Sequence, residues 1–502
     1  MILSLSLSLL DRSNVDVTCA MRDHQQLCLS NYEMMMMGFI TILLGFLSTA
    51  ASTNAVPRYV TIENQNFVDT RTGERVVLKG PNVVVKGPPY LPSTEGNSVC
   101  HDETNNCAQF GNCTSCSTFT QADVDHIKSQ GWNFIRLGVV WAGAQPRDED
   151  ALDPDFVKRL HAVLDLTDKN NINVMLDNHG DMVGSAGCGN GVPMWIQQKA
   201  APELIGKPLR TGLPYSLISS LNIKNVDGYE HCGENETLWK QHAGMDSLSF
   251  SLSLSLSSHA HIKKNHHKSG DPNYNLLNEC CQAMNSPNPG GLGYTKIGQA
   301  TMNYILSPGE GRDAFVRYWR LMAEAVSSHP SAFAVESMNE PMSIRRRWMF
   351  DTWRDISNAV TEVVPGMSVA LLDIGEGSFI PEWATKYIHV EDLDIASDTL
   401  KWIKSSNNLF YAWHWYGGDL SPRGAVEAML AIQNDWNVPS FATEFMSCDI
   451  WNNASAANVS HSYWHYSAYC NTGPAFGNRK VPDDTFGACI LGWAGGTNIK
   501  PC

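Results

Sequence analysis

From residue 76 to residue 466 the chain alternates short apolar runs with segments of helical period. That alternation restricts it to a parallel βα architecture, because each buried strand needs a crossover before the next can pair beside it. The runs at 76–84, 134–141, 173–179, 332–341, 368–373, 409–416, 439–445 and 462–466 read as eight strands. Between them, 120–130, 154–168 and 312–328 read as helices; Phe156, Leu160, Val163 and Leu164 repeat at helical spacing in the second of these. The expected fold is a (β/α)₈ (TIM) barrel, with a long cysteine-bearing excursion at 182–310 after strand three.

Two of the runs end in glutamate: Glu340 within Asn339-Glu340-Pro341, and Glu444 within 439–445. Most glutamates are solvated surface charges, and few are fully buried without a partner. These two close apolar strands, and such barrels carry their chemistry at strand C-terminal ends. Paired carboxyl groups there suit glycosidic cleavage, one protonating the leaving oxygen and the other attacking the sugar carbon. The roles need different environments: the donor must keep its proton near neutral pH, and the attacking group must stay ionised.

A formal charge of −15 argues against a nucleic-acid partner, which requires a basic face. Of 14 cysteines, the 12 from Cys100 onward include a Cys113-x-x-Cys116 pair without a second ligand pair at zinc spacing. Disulfides in an oxidising compartment are therefore expected. No metal and no other cofactor is expected, since two carboxyl groups suffice. Sequons at Asn112, Asn235, Asn453 and Asn458 agree with secretion. Residues 37–51 form an apolar core followed by small residues to Ala55, the pattern of a signal peptide, too short to span a bilayer securely. It starts well inside the chain without a basic residue immediately upstream, so a signal anchor is the alternative. The expected organisation is a leader at 1–55 and a catalytic domain at 56–502.

Strict Ser/Leu alternation at 3–10 and 247–258 has a strand period, but a repeated TC dinucleotide also encodes it. The second tract runs into the His- and Lys-rich stretch 259–268. We expect 245–269 to be translated intron and 1–33 an over-extended start; an uninterrupted transcript containing both tracts would refute this.

Asn339-Glu340-Pro341, the His414-x-Tyr416 pair, Glu444 on strand seven and Arg136 on strand two resemble the family 5 glycoside hydrolases. Segments 82–90, 131–141 and 188–195 are similar to the endoglycoceramidase branch, and the resemblance spans roughly 60–495 apart from the insert. It implies a retaining β-glycosidase with Glu340 as acid/base and Glu444 as nucleophile, their carboxyl groups about 5–5.5 Å apart. It further implies that Tyr416 and Arg136 keep Glu444 charged and that Asn339 bonds the sugar 2-hydroxyl. His179, Asp181 and Lys86 would bind hydroxyls of the sugar beside the cleavage point, His414 would join the binding set, and Trp464 would be a stacking platform. The implied partner is a β-linked glycoside, by the branch a glycosphingolipid met at a membrane surface, and the implied location is secreted or endomembrane lumen.

Three departures stand against this. The His179 segment reads His-Gly-Asp where the branch shows His-Gln-Asp. The Ser/Leu tract interrupts a loop near the cleft. The chain ends soon after strand eight, where the branch continues into a β-sandwich, so a single-domain member or a truncated one is expected. Competing functions are a glucosidase for glucosylceramide or steryl glucoside, an endo-β-glucanase or mannanase, and an inactive sugar-binding product of a damaged gene.

Overall fold

The computed structural model describes residues 17–22, 25–30, 56–85, 90–95, 119–180, 183–187, 191–205, 211–212, 295–341, 343, 345–373, 395–416, 420–445 and 447–464. Lys86, Asp181 and the suspected insert at 245–269 lie outside them. The chain divides into two units, Met1–Ala55 and Val56–Cys502. In the first, β1 (Val17–Arg22) and β2 (Gln25–Ser30) pair antiparallel, with Cys19 opposite Cys28.

The second unit contains a closed barrel of eight parallel strands. In chain order these are β6 (Lys79–Val83), β7 (Phe134–Gly138), β8 (Asn173–Asp177), β9 (Ala332–Glu336), β10 (Ser368–Leu372), β11 (Leu409–Trp415), β12 (Ser440–Phe445) and β13 (Ser460–Tyr463). β13 pairs with β6 through His461 opposite Lys79, which closes the ring. Helices α1 (Gln121–Ser129), α2 (Trp141–Ala144), α3 (Pro154–Asn170), α4 (Met194–Ala200), α5 (Lys296–Leu306), α6 (Glu310–Ala325), α7 (Arg346–Val363), α8 (Ser397–Ser405), α9 (Pro422–Trp436) and α10 (Cys448–Ala456) lie between strands. The fold is the (β/α)₈ barrel expected from the alternation.

Phe-Ile-Arg-Leu-Gly in β7 and Ala-Phe-Ala-Val-Glu in β9 are buried at every position, as strands covered on both faces must be. Helix termini follow local chemistry. The Asp153 carboxylate accepts from the amides of Asp155 and Phe156 at the start of α3, and Asn171 closes that helix in the left-handed region at φ 56°. Gly80 is required sterically: a Cβ there would lie 1.7 Å from the Phe134 carbonyl oxygen.

A hairpin of β3 (Val60–Glu63) and β4 (Asn66–Asp69), with β5 (Glu74–Arg75) paired antiparallel to β4, seals the N-terminal end of the barrel. Asn64 and Gln65 both take positive φ, as a two-residue turn between right-twisting strands requires. Phe67 projects from it and meets Phe333, Phe410 and Phe441 edge-on at 6.1, 5.4 and 5.8 Å. Phe67→Ala should cost about 3–5 kcal/mol in urea unfolding. A loss below about 1 kcal/mol would show that the plug is dispensable.

Candidate active site

Arg136, Asp177, Glu336, His414 and Glu444 of the barrel strands gather toward the opposite, C-terminal mouth. Arg136 on β7 is fully buried and spends its guanidinium on five neighbours. Nη1 donates to Glu444 Oε2 at 2.9 Å and to Asn82 Oδ1 at 2.7 Å. Nη2 donates to Glu336 Oε1 at 2.6 Å and to Asn339 Oδ1 at 2.9 Å, while Nε donates to Glu336 Oε2 at 3.1 Å. Asp177 Oδ2 lies 3.1 Å from Nη2. Burial opposes the arginine charge, but Asp177, Glu336 and Glu444 outweigh it and raise the guanidinium above its ordinary value. Burial would likewise push Glu336 up; Arg136 and then His414 overcome that and hold it well below the usual carboxylate range.

Glu340 sits beyond the end of β9. It adopts φ 40°, a left-handed backbone that costs a non-glycine residue about 1–2 kcal/mol, immediately before Pro341. The amide of Asn339 is tied to the Asn178 carbonyl at 3.0 Å, so the chain is fixed just before this turn. The Glu340 side chain is 40% exposed, and its Oε1 lies 3.0 Å from Nδ1 of His414 on β11. Nδ1 of His414 is also 3.9 Å from Glu444 Oε2, and its Nε2 is 3.8 Å from Glu336 Oε1. Burial disfavours the imidazolium, yet Glu444, Glu336 and Glu340 together raise His414 well above its ordinary value. His414 Nδ1 and Glu340 Oε1 thus share one hydrogen bond, and in the form that protonates a leaving group the proton lies on Glu340.

Tyr416 donates its hydroxyl to Glu444 Oε1 although the residue as a whole is 48% exposed. Burial of the hydroxyl end, then the charges of Glu444 and Glu340, push the phenol well above its ordinary value, so it remains a donor. One oxygen each from Glu340 and Glu444 and a nitrogen of His414 lie within 4.8 Å of one another. This close approach suits a retaining pair, whose carboxyl groups stand about 5–5.5 Å apart, rather than an inverting pair at about 6.5–9.5 Å.

The structure thus brings together Arg136, Asn339, Glu340, His414, Tyr416 and Glu444. His179 and Trp464 join the same mouth. The His179 Nδ1 atom lies 2.7 Å from Asp177 Oδ2, and its ring stacks on Trp464 at 4.8 Å and 13°. Trp464 is buried, with one ring face covered by His179. Lys86 and Asp181, expected in the binding set, fall outside the described residues. Three members of the network were not singled out from the sequence: Asn82, Asp177 and Glu336. Glu336 carried a readable signal, because the strand period turns alternate residues inward and it is a carboxylate closing the apolar run just before Asn339-Glu340. Trp415 Nε1 and Thr443 Oγ1, near strand C-terminal ends, are buried without a hydrogen-bond partner among the described residues. Such groups call for an explanation, and polar ligand contacts are one.

Residues 95–205 match the family model described as cellulase, glycosyl hydrolase family 5. That stretch contains Arg136 and His179 but neither Glu340 nor Glu444. The chain is similar to endoglycoceramidase I of Rhodococcus hoagii, 30% identical over 181 residues, covering 36% of this chain and 30% of the relative. It is also similar to the endoglycoceramidase of Cyanea nozakii, 29% identical over 155 residues, covering 31% of this chain and 27% of the relative. Each match thus spans less than a third of the relative's length. Among solved structures, endo-glycoceramidase II from Rhodococcus sp. in complex with a five-membered iminocyclitol aligns at 13% identity and a TM-score of 0.43, over 81% of this chain and 75% of that one. The barrel stands on its own strand pairing, independent of that alignment. These partial matches make the chain similar to family 5 glycosyl hydrolases and to endoglycoceramidases.

Proposed function

We propose that this chain is a retaining β-glycosidase acting on glycosphingolipids. The observation that carries the reading is the approach of Glu340 and Glu444 within 4.8 Å across the mouth of the barrel. Glu340, the more exposed of the two, gives its proton to the glycosidic oxygen as the bond to the leaving group breaks. Glu444, held by Arg136 and Tyr416, attacks the anomeric carbon and forms a glycosyl ester. Water then attacks that carbon, returns a proton to Glu340 and releases Glu444 as carboxylate. No atom is left unaccounted for, and no further group is needed.

The endoglycoceramidase relatives supply the substrate class. Contact with a lipid surface is supported by Arg345, Arg346 and Arg347, which follow the acid/base within a few residues. These three cations stand at the N-terminus of α7, against the helix dipole. Arg346 binds Asp373 at 3.0 Å and Arg345 stacks on Trp348 at 4.0 Å, while Arg347 is exposed. A lumenal or secreted location is supported by the disulfide at Cys448.

The test is an assay on fluorescent glucosylceramide and lactosylceramide, identifying which bond breaks and the anomeric configuration first formed. Release of intact lactose with retained configuration is the expected result. Release of glucose from glucosylceramide with lactosylceramide untouched would move the reading to a glucosidase. Inverted product would overturn the assignment of Glu444 as nucleophile. Activity on β-glucan with none on either lipid would replace the substrate class.

A further inference from the structure

Glu336 is fully buried, takes no direct part in the two-step chemistry, and yet touches both arms of it. Through its two oxygens it grips Nε and Nη2 of Arg136, whose Nη1 holds Glu444. On its other side Oε1 faces Nε2 of His414 at 3.8 Å, and Nδ1 of the same ring holds Glu340. We propose that Glu336 is a positioning residue that ties the acid/base to the nucleophile, through His414 to one and through Arg136 to the other. This rests on the glycosidase reading above.

Among the described residues the charged groups around it are Arg136 from β7, Asp177 from β8, His414 from β11, Glu444 from β12 and Glu340 from the turn after β9, while β10 beside it is uncharged. Asp177 is already bound to His179 and to Arg136, so it cannot take over the bidentate grip without releasing His179. A residue needed only to neutralise a buried arginine would be satisfied by that grip. Facing His414 as well gives Glu336 a second consequence: its negative charge bears on the ring that is hydrogen-bonded to Glu340. Its removal therefore acts on both catalytic carboxyl groups at once.

The experiment compares Glu336→Gln, Glu336→Asp and the parent protein by pH–rate profile, thermal unfolding and NMR of ring-labelled histidine. Glu336→Gln keeps the shape and removes the charge. It should lower kcat by about 10²-fold, the scale of a misplaced catalytic group, with KM little changed. Both limbs of the pH profile should move by roughly one unit toward acid, since a nearby negative charge has gone. His414 should lose its proton at lower pH, a readout that needs no substrate and so holds whether or not the glycosidase reading stands. Glu336→Asp keeps the charge and loosens the grip: kcat falls, while the pH profile stays with the parent's. A Gln variant that folds with an unmoved profile and an unmoved His414 titration would overturn the proposal. If Gln fails to fold, an Asp variant whose kcat equals the parent's would do the same.

Discussion

Glu444→Gln should lower turnover of an activated aryl β-glycoside by about 10⁴-fold or more, because the covalent step loses its nucleophile while the rest of the site remains. Glu340→Gln should be gentler and more revealing. On a natural substrate general-acid loss costs about 10²–10⁴-fold. With a leaving group that departs without protonation, the first step no longer needs Glu340, and the glycosyl ester on Glu444 should accumulate as an early burst. Adding azide to Glu340→Ala should then capture the ester and give the β-glycosyl azide. The burst belongs to Glu340 variants alone; seeing it in Glu444→Gln would exchange the two roles. Both carboxyl groups are hydrogen-bonded, Glu444 by Arg136 and Tyr416 and Glu340 with His414, so Gln substitutions also probe how each partner tolerates a neutral amide.

Acid should destabilise the barrel before the carboxylates titrate. His461 on β13 is fully buried, with Nδ1 2.7 Å from the Val459 carbonyl oxygen and its ring edge-on to Trp451 at 4.3 Å. Burial, partly offset by the Val459 carbonyl, lowers its pKa to about 4. In the unfolded chain the ring takes up its proton at about pH 6.5. Between those two values the unfolded state binds the extra proton, so stability falls as pH falls through that window and levels off below about 4. The full difference corresponds to ~3 kcal/mol. Urea unfolding at pH 7 and pH 4.5 should show most of this loss in the parent protein, and His461→Gln should show a shallower slope. Equal slopes in the two would mean that another group governs the acid limb.

Much of the barrel was legible because it is buried on both faces. The apolar runs of β7 to β12 are nearly continuous and give themselves away, although β9, expected to reach 341 with Glu340 at its end, stops at Glu336. The closing strands were harder. β6 contains Gly80 and Pro81, poor strand formers, and was expected at 76–84 rather than Lys79–Val83. β13 is Ser-His-Ser-Tyr and was expected at 462–466. It is fastened by polar contacts such as the Ser460 hydroxyl accepting from the Leu78 amide at 3.0 Å, which no hydrophobic pattern reveals. In the site, Glu340, Glu444 and Arg136 were readable from strand ends and motif. Asp177 and Glu336 also close apolar runs, but their part in the site was hidden, because only the three-dimensional arrangement shows which carboxylates share one guanidinium.

The left-handed backbone at Glu340 sets protein abundance against turnover at a single position. Glycine accepts that conformation freely and asparagine tolerates it, so either would relieve the turn while removing the carboxyl group that faces His414. A saturation library scored by how much folded protein accumulates should rank both above the natural residue. The same library scored by catalysis should discard both, and selection in nature has taken the second score.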